Sequence, residues 1–205
     1  MSAVLSSSVG WKAAAIPSVP IWRLSVAQYH EMIRTGILTA DDQVELLEGW
    51  LVYKMPKNPP HRIVTKLTRN AFEAIVPAGY YVDSQEPITL TDGEPEPDVA
   101  IIRGATRDYQ NRHPGAAEVV LTVEVADTTL ECDQGVKKRS YARAGIPVYW
   151  IINVKEDKCE VYTEPTIDEL EADYQQRRDC TVSDEIPVMI EGQLVGSISL
   201  RDLLP

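Results

Sequence analysis

The sequence predicts an α/β fold, and three stretches carry that expectation. Glu118 to Ala126 and Val148 to Ile152 are apolar on nearly every residue, the pattern of strands buried on both faces. Between them, Asp133 to Ala144 reads as a helix stopped by Gly145 and Pro147. Strand, helix and strand in that order make a βαβ unit, which requires parallel pairing and a right-handed crossover. Lys155 to Lys158 then turns the chain into Cys159 to Tyr162, an expected antiparallel partner.

The earlier elements follow from their punctuation. Ser25 with Gln28 matches a capping box, and Gly36 is placed to end the helix that it opens. Val44 to Leu47 and Trp50 to Tyr53 flank Glu48-Gly49, which predicts a hairpin. From Pro60 to about Val76, Ile63, Val64, Leu67, Ala71, Phe72 and Ile75 recur at helical spacing, with Arg62, Lys66, Arg69 and Glu73 opposite. Pro77 and Gly79 close that helix. Tyr80 to Leu90 is then an expected strand, Thr91 to Glu96 a turn, and Asp98 to Ile102 a second strand. Beyond Glu164 the alternation is weak and suggests a small β extension ending at Leu200 to Leu204. With no repeat or low-complexity linker, the reading is one domain over 21–205, preceded by a loose Ser-, Ala- and Pro-containing arm over 1–20.

Composition narrows the class. No run approaches 18 apolar residues, so no membrane helix is expected, and the first twenty residues lack the form of a signal peptide. Cys132, Cys159 and Cys180 have neither zinc-ligand nor paired spacing, which fits ordinary thiols in a reducing cytoplasm. A net charge of −11 argues against coating nucleic acid through a general positive field, but leaves room for a local basic groove.

Two carboxylates stand where carboxylates are costly. Glu124 interrupts the most strand-like run of the chain and shares a face with Thr122 and Ala126, while Asp98 opens its own apolar strand. A pair of this kind suits a hard divalent cation such as Mg²⁺ or Mn²⁺. The plainer alternative pairs each with an arginine or lysine. Lys137 lies on the following helix, one turn before Tyr141, and could meet the carboxylates or stay solvated.

Taken together, the segments Val44-Glu45-Leu46-Leu47-Glu48-Gly49, Pro59-Pro60-His61-Arg62, Pro97-Asp98-Val99, Val123-Glu124-Val125-Ala126-Asp127, Asp133-Gln134-Gly135-Val136-Lys137 and Tyr141-Ala142-Arg143-Ala144-Gly145-Ile146-Pro147-Val148-Tyr149-Trp150-Ile151 resemble one family. It is the Uma-type family of restriction-endonuclease-like proteins, in the PD-(D/E)XK nuclease superfamily. The likeness spans roughly residues 22 to 163. Ala126 stands where most superfamily members carry a lysine, and a lysine on the next helix replaces it in this family. Trp50 and Val148 depart from the family pattern at positions outside the metal triad.

The resemblance implies a restriction-endonuclease-like core, a mixed central sheet flanked by helices. It implies hydrolysis of DNA with Mg²⁺ (or Mn²⁺), Asp98, Glu124 and a carbonyl at Val125 holding the metal, Lys137 acting on the water side, and Glu45 as an accessory carboxylate. His61, Arg62, Lys66, Arg69, Lys138 and Arg143 are candidate DNA contacts. A homodimer is expected by analogy, since cutting both strands favours two sites. The competing expectation is a relative that keeps the fold but only binds nucleic acid or protein.

Overall fold

The computed structural model describes residues 19–168 and 171–205. Most of the expected N-terminal arm therefore lies outside the described residues. Helix α1, Val26–Arg34, opens on a reciprocal cap: the Gln28 N–H donates to the Ser25 hydroxyl at 3.2 Å, and the Ser25 N–H donates to the Gln28 side chain at 2.9 Å. Strands β1 (Val44–Leu47) and β2 (Trp50–Tyr53) form the expected hairpin. Both turn residues are left-handed, Glu48 at φ 48° and Gly49 at φ 79°, as a type I′ turn requires. Any side chain at 49 would also start 2.6 Å from the Arg23 Cβ.

The central sheet has six strands in the order β3-β4-β5-β6-β7-β8. They are β3 (Tyr80–Asp83), β4 (Val99–Arg103), β5 (Val119–Ala126), β6 (Val148–Asn153), β7 (Lys158–Thr166) and β8 (Asp173–Thr181). Only β5 and β6 run parallel within it, with Glu124 opposite Ile151, and every other neighbour is antiparallel. The sheet is mixed, as expected, and its one parallel pair is the predicted βαβ unit.

Alternation along β5 and β6 divides the core between two faces. Val123, Val125, Trp150 and Ile152 pack with Val64 and Phe72 of helix α2, Pro59–Glu73. Tyr149, Ile151 and Ala126 pack with Tyr141 and Ala142 on the other side. That second layer is α3 (Leu130–Cys132), a π turn (Asp133–Lys137) and α4 (Lys138–Arg143); the helix expected over Asp133 to Ala144 is thus preceded by one more turn and opens through a π turn.

Several elements differ from expectation for identifiable reasons. The strand expected over Tyr80 to Leu90 ends at Asp83, because Pro87, Pro95 and Pro97 cannot donate to a ladder. The segment 84–98 instead folds onto β1, where the Glu94 N–H donates to the Leu46 carbonyl at 2.7 Å. Helix α2 buries Val64, Thr65, Thr68 and Phe72 and leaves Ile63 exposed. A threonine can sit on a buried helical face by bonding back one turn, as the Thr65 hydroxyl does to the His61 carbonyl at 2.9 Å. The C-terminal segment is not one extension. Strand β8 completes the main sheet, while β9 (Glu185–Ile190), β10 (Gln193–Ser199) and α5 (Leu200–Leu203) cover its α2 face with Ile186, Val188 and Leu203. Among the described residues no helix is long and apolar enough to cross a membrane.

The hairpin turn is fastened to α4 by charge. Glu48 is buried and accepts from Arg139 through both carboxylate oxygens, at 2.9 Å each, and from Arg143 at 3.1 Å. Arg143 reaches on to Asp92 at 2.7 Å. Burial works to raise the Glu48 pKa, but the two guanidinium groups outweigh it and hold the carboxyl below its ordinary value. Replacing Glu48 with Gln should cost about 2 kcal/mol, the scale of hydrogen bonds to a charged acceptor. A depressed folded pKa contributes stability above the unfolded value of about 4.3, and that stability is lost as pH falls through the folded pKa. Chemical denaturation should therefore show E48Q weaker than wild type at pH 7, with the gap closing below about pH 4.

Candidate active site

The strand register brings the two predicted carboxylates together. Val99 pairs with Val123, so continuing the ladder by one residue sets Asp98 opposite Glu124 on the same face. Both are buried, at 6% and 3% exposure, as are Glu45 on β1 at 6% and Lys137 at 8%. These four side chains, with His61 from the first turn of α2, line one cavity of about 510 Å³.

The π turn delivers the cation. The Lys138 N–H bonds to the Asp133 carbonyl five residues back, which widens the helix where Lys137 leaves it. Lys137 Nζ lies 3.0 Å from Glu124 Oε1 and 3.5 Å from Glu45 Oε1. One turn later the Tyr141 hydroxyl donates to the same Glu124 oxygen at 2.6 Å. Lys137 and Tyr141, one turn apart, thus meet on one carboxylate oxygen.

One oxygen of Asp98, Oδ2, is held by two different donors. The Val125 N–H reaches its Oδ2 at 2.9 Å, and His61 Nε2 lies 3.0 Å from that oxygen. His61 is set by its own cap: its N–H donates to the Asn58 side chain at 3.1 Å, and Asn58 also donates to Asp127 beyond the end of β5. Glu45 accepts the Glu96 N–H at 3.1 Å, which ties β1 to the segment leading into Asp98.

Negative groups outnumber positive ones here, and the protonation pattern follows. Burial alone would lower the Lys137 pKa, but Glu124, Glu45, Asp133 and Asp98 outweigh it and hold the ammonium well above its ordinary value. Burial, reinforced by Asp98, Asp133 and Glu45, pushes Glu124 well up despite Lys137. Asp133, buried and hydrogen-bonded to Thr129, is pushed up to about 6. Asp98 goes the other way: burial opposes its charge, but His61, Lys137 and the Val125 N–H win, and its pKa falls.

Not every candidate reaches the cavity. Lys138 pairs with Asp173 at 2.8 Å, and Arg143 is committed to Glu48 and Asp92. Arg62 and Lys66 lie exposed on the outer side of α2, and Arg69 pairs with Glu73 at 2.9 Å. None of these five lines the cavity. The sequence reading had assigned no role to Asp133, Asn58 or Asp127. Asp133 was accessible from its spacing four residues before Lys137, and Asn58 from its position before Pro59-Pro60, the signature of a helix start. The three cysteines are free; burial pushes the Cys132 thiol, beside the cavity, up to about 11.

The family described as "Putative restriction endonuclease", Uma2, matches residues 26–194. The chain belongs to the Uma2 family. Among solved structures, a "putative nuclease belonging to DUF820" from Anabaena variabilis ATCC 29413 superposes with a TM-score of 0.59 at 15% identity, covering 83% of this chain and 94% of that one. At that identity the likeness is one of fold. No curated protein matches the chain. In this Uma2 protein, the buried lysine that follows β5 is therefore part of a nuclease-like fold.

Lys137 is the cation that lets four carboxylates share the site, and its removal should be felt in the fold itself. In Lys137→Met, Glu124 and Asp133 lose the charge that opposes their burial, and their already raised folded pKa values rise further. A raised carboxylate pKa opposes folding above the unfolded pKa, so the loss should reach about 3–5 kcal/mol near pH 7.5. It should shrink toward pH 4.5 as the carboxylates take up protons. Thermal denaturation at both pH values checks this; an equal loss at both would reduce Lys137 to a packing role.

Proposed function

We propose that this Uma2 protein is a nuclease that hydrolyses DNA phosphodiester bonds with the help of Mg²⁺ or Mn²⁺. The observation that carries the reading is how contacts divide over the two central carboxylates. On Asp98, Val125 and His61 both use Oδ2, while Oδ1 has only a long 3.4 Å approach from Gln85. On Glu124, Lys137 and Tyr141 both use Oε1. Each carboxylate is thus fixed through one oxygen and keeps the other for a ligand.

This donor set fits a small hard cation. Among the described residues no three His, Cys, Asp or Glu side chains converge as a ready-made cage. Mg²⁺ does not need one, since it takes one or two carboxylates, keeps several waters and accepts substrate phosphate oxygens. The Val125 carbonyl is a third donor, because a strand residue directs its N–H and C=O to the same side, and the N–H already meets Asp98. When bound, the ion would supply an acidified water and neutralise charge on the phosphate.

The chain's own residues do the rest. Lys137, held by Glu124 and Glu45 rather than by solvent, presents an ammonium to the charge that develops on the phosphoryl oxygens. Tyr141 keeps Glu124 in the rotamer that faces Lys137. His61 and the Val125 N–H do the same for Asp98. Burial of these side chains strengthens each of these interactions.

Cleavage of a labelled oligonucleotide tests the reading. With Mg²⁺ or Mn²⁺ at millimolar levels the wild-type chain should cut, and EDTA should stop it. Asp98→Asn and Lys137→Ala, assayed at a temperature where circular dichroism shows them folded, should each lose about two orders of magnitude or more. Lys138→Ala, whose amine is spent on Asp173, should cut at close to the wild-type rate. Full activity in Asp98→Asn would move the metal, and the chemistry, elsewhere.

A further inference from the structure

We infer that DNA enters this site unpaired, with a base stacked on Tyr53 at the rim of the cavity. The inference rests on the nuclease reading and names its substrate class. It draws on the depth of the site, the sign of its lining and the side chains at its mouth.

The depth argues against an intact duplex. Asp98, Glu124 and Lys137 are each more than nine-tenths buried, so a phosphodiester must come into the cavity to meet them. A space of about 510 Å³ is the size of a small-molecule pocket, room for a nucleotide or two. A single strand can thread one backbone link into such a space, whereas a stacked and paired duplex cannot.

The lining cannot hold a polyanion by charge. Its carboxylates are Glu45, Glu96, Asp98, Glu124, Asp127 and Glu131, against the amines of Lys54, Lys57 and Lys137. Lys54 is paired with Glu96 at 2.6 Å and Lys137 with Glu124 at 3.0 Å. Among the described residues only Lys57 is left as a lining amine without an ion pair. A chain of net charge −11 adds no favourable field from further away. Beyond what a bound Mg²⁺ or Mn²⁺ supplies, affinity must then come mostly from contacts that are not ionic.

The mouth supplies such contacts. Tyr53, the last residue of β2, is 74% exposed, and Met55 is 54% exposed two residues on; both line the cavity. The Tyr53 side chain has no hydrogen bond and no ring partner among the described residues. A bare aromatic ring and a thioether at the entrance to an acidic site form a stacking platform, which accepts any base because every base has a π-face. Lys57, four residues along the same rim, is placed to meet a phosphate.

Fluorescence anisotropy of the full chain carrying Asp98→Asn, with a labelled 12-nucleotide single strand and its blunt duplex, tests the inference. The single strand should bind at least about tenfold more tightly, with a log K against log salt slope no steeper than about −2. Adding Tyr53→Ala should weaken single-strand binding by about tenfold or more, the scale of one lost base stack, while Tyr53→Phe keeps it. The melting temperature should be little changed by Tyr53→Ala, since the residue is 74% exposed. Duplex binding as tight as single-strand binding, an unaffected Tyr53→Ala, or no binding of either oligonucleotide overturns the inference. The two readings fail separately. A wild-type chain that binds single strands through Tyr53 but never cuts them sinks the nuclease alone. One that cuts duplex equally well with or without Tyr53 sinks only this inference.

Discussion

One ammonium makes this architecture possible. Glu45 comes from the hairpin, Asp98 from the lead into β4, Glu124 from the middle of β5 and Asp133 from the π turn, and Lys137 is the cation that all four feel. Burying that many carboxylates without a counter-charge would cost more than a domain of this size has in reserve. The elements that carry them are held at fixed spacings by backbone, so the lysine has to arrive where they converge. The widened turn does this, and α4 continues from it to set Tyr141 against the same carboxylate.

The remaining contacts keep those elements from drifting apart. The Glu96 N–H on Glu45 links the hairpin to the strand that begins after Asp98, and the Val125 N–H on Asp98 links β4 to β5. Asn58 spans the start of α2 and the end of β5. Glu48 with Arg139 and Arg143 closes the circle from hairpin to helix. Each of these joins two different elements around the cavity, so the site's geometry is shared across the fold rather than stored in one loop.

Much of this was legible because it is local. Val119–Ala126 and Val148–Asn153 are β-branched and apolar on both faces, and nothing but a buried strand suits them. Ser25 and Gln28 announce a helix start by chemistry confined to four residues. Glu124 stood out because alternation assigns it to a buried face, and Asp98 because it opens an apolar run. What escaped notice is non-local. Nothing near Arg143 in sequence reveals Glu48 or Asp92 as its partners, and so a paired guanidinium passed for a free DNA contact. The prolines at 87, 95 and 97 were present, yet the apolar residues Ile88 and Leu90 between them read as strand when they are loop residues buried by packing. The π turn also leaves no local mark, since Gly135 is as common at helix ends as within irregular turns.

The Glu48 clasp has a consequence for how the protein is made. Its carboxylate and the Arg139 guanidinium are separated by 91 residues, and Arg143 lies 95 away. A chain leaving the ribosome therefore exposes the finished hairpin long before the helix that fastens it exists. Through that interval Glu45 and Asp98 can stay in water and cost nothing. Their burial needs β5, the π turn and α4 all in place, so closing the sheet over these acids also brings in the cation that neutralises them. The same coupling means that a chain halted before residue 137 holds its acids without their cation, a species that should stay open to proteases and chaperones instead of collapsing into a wrong core.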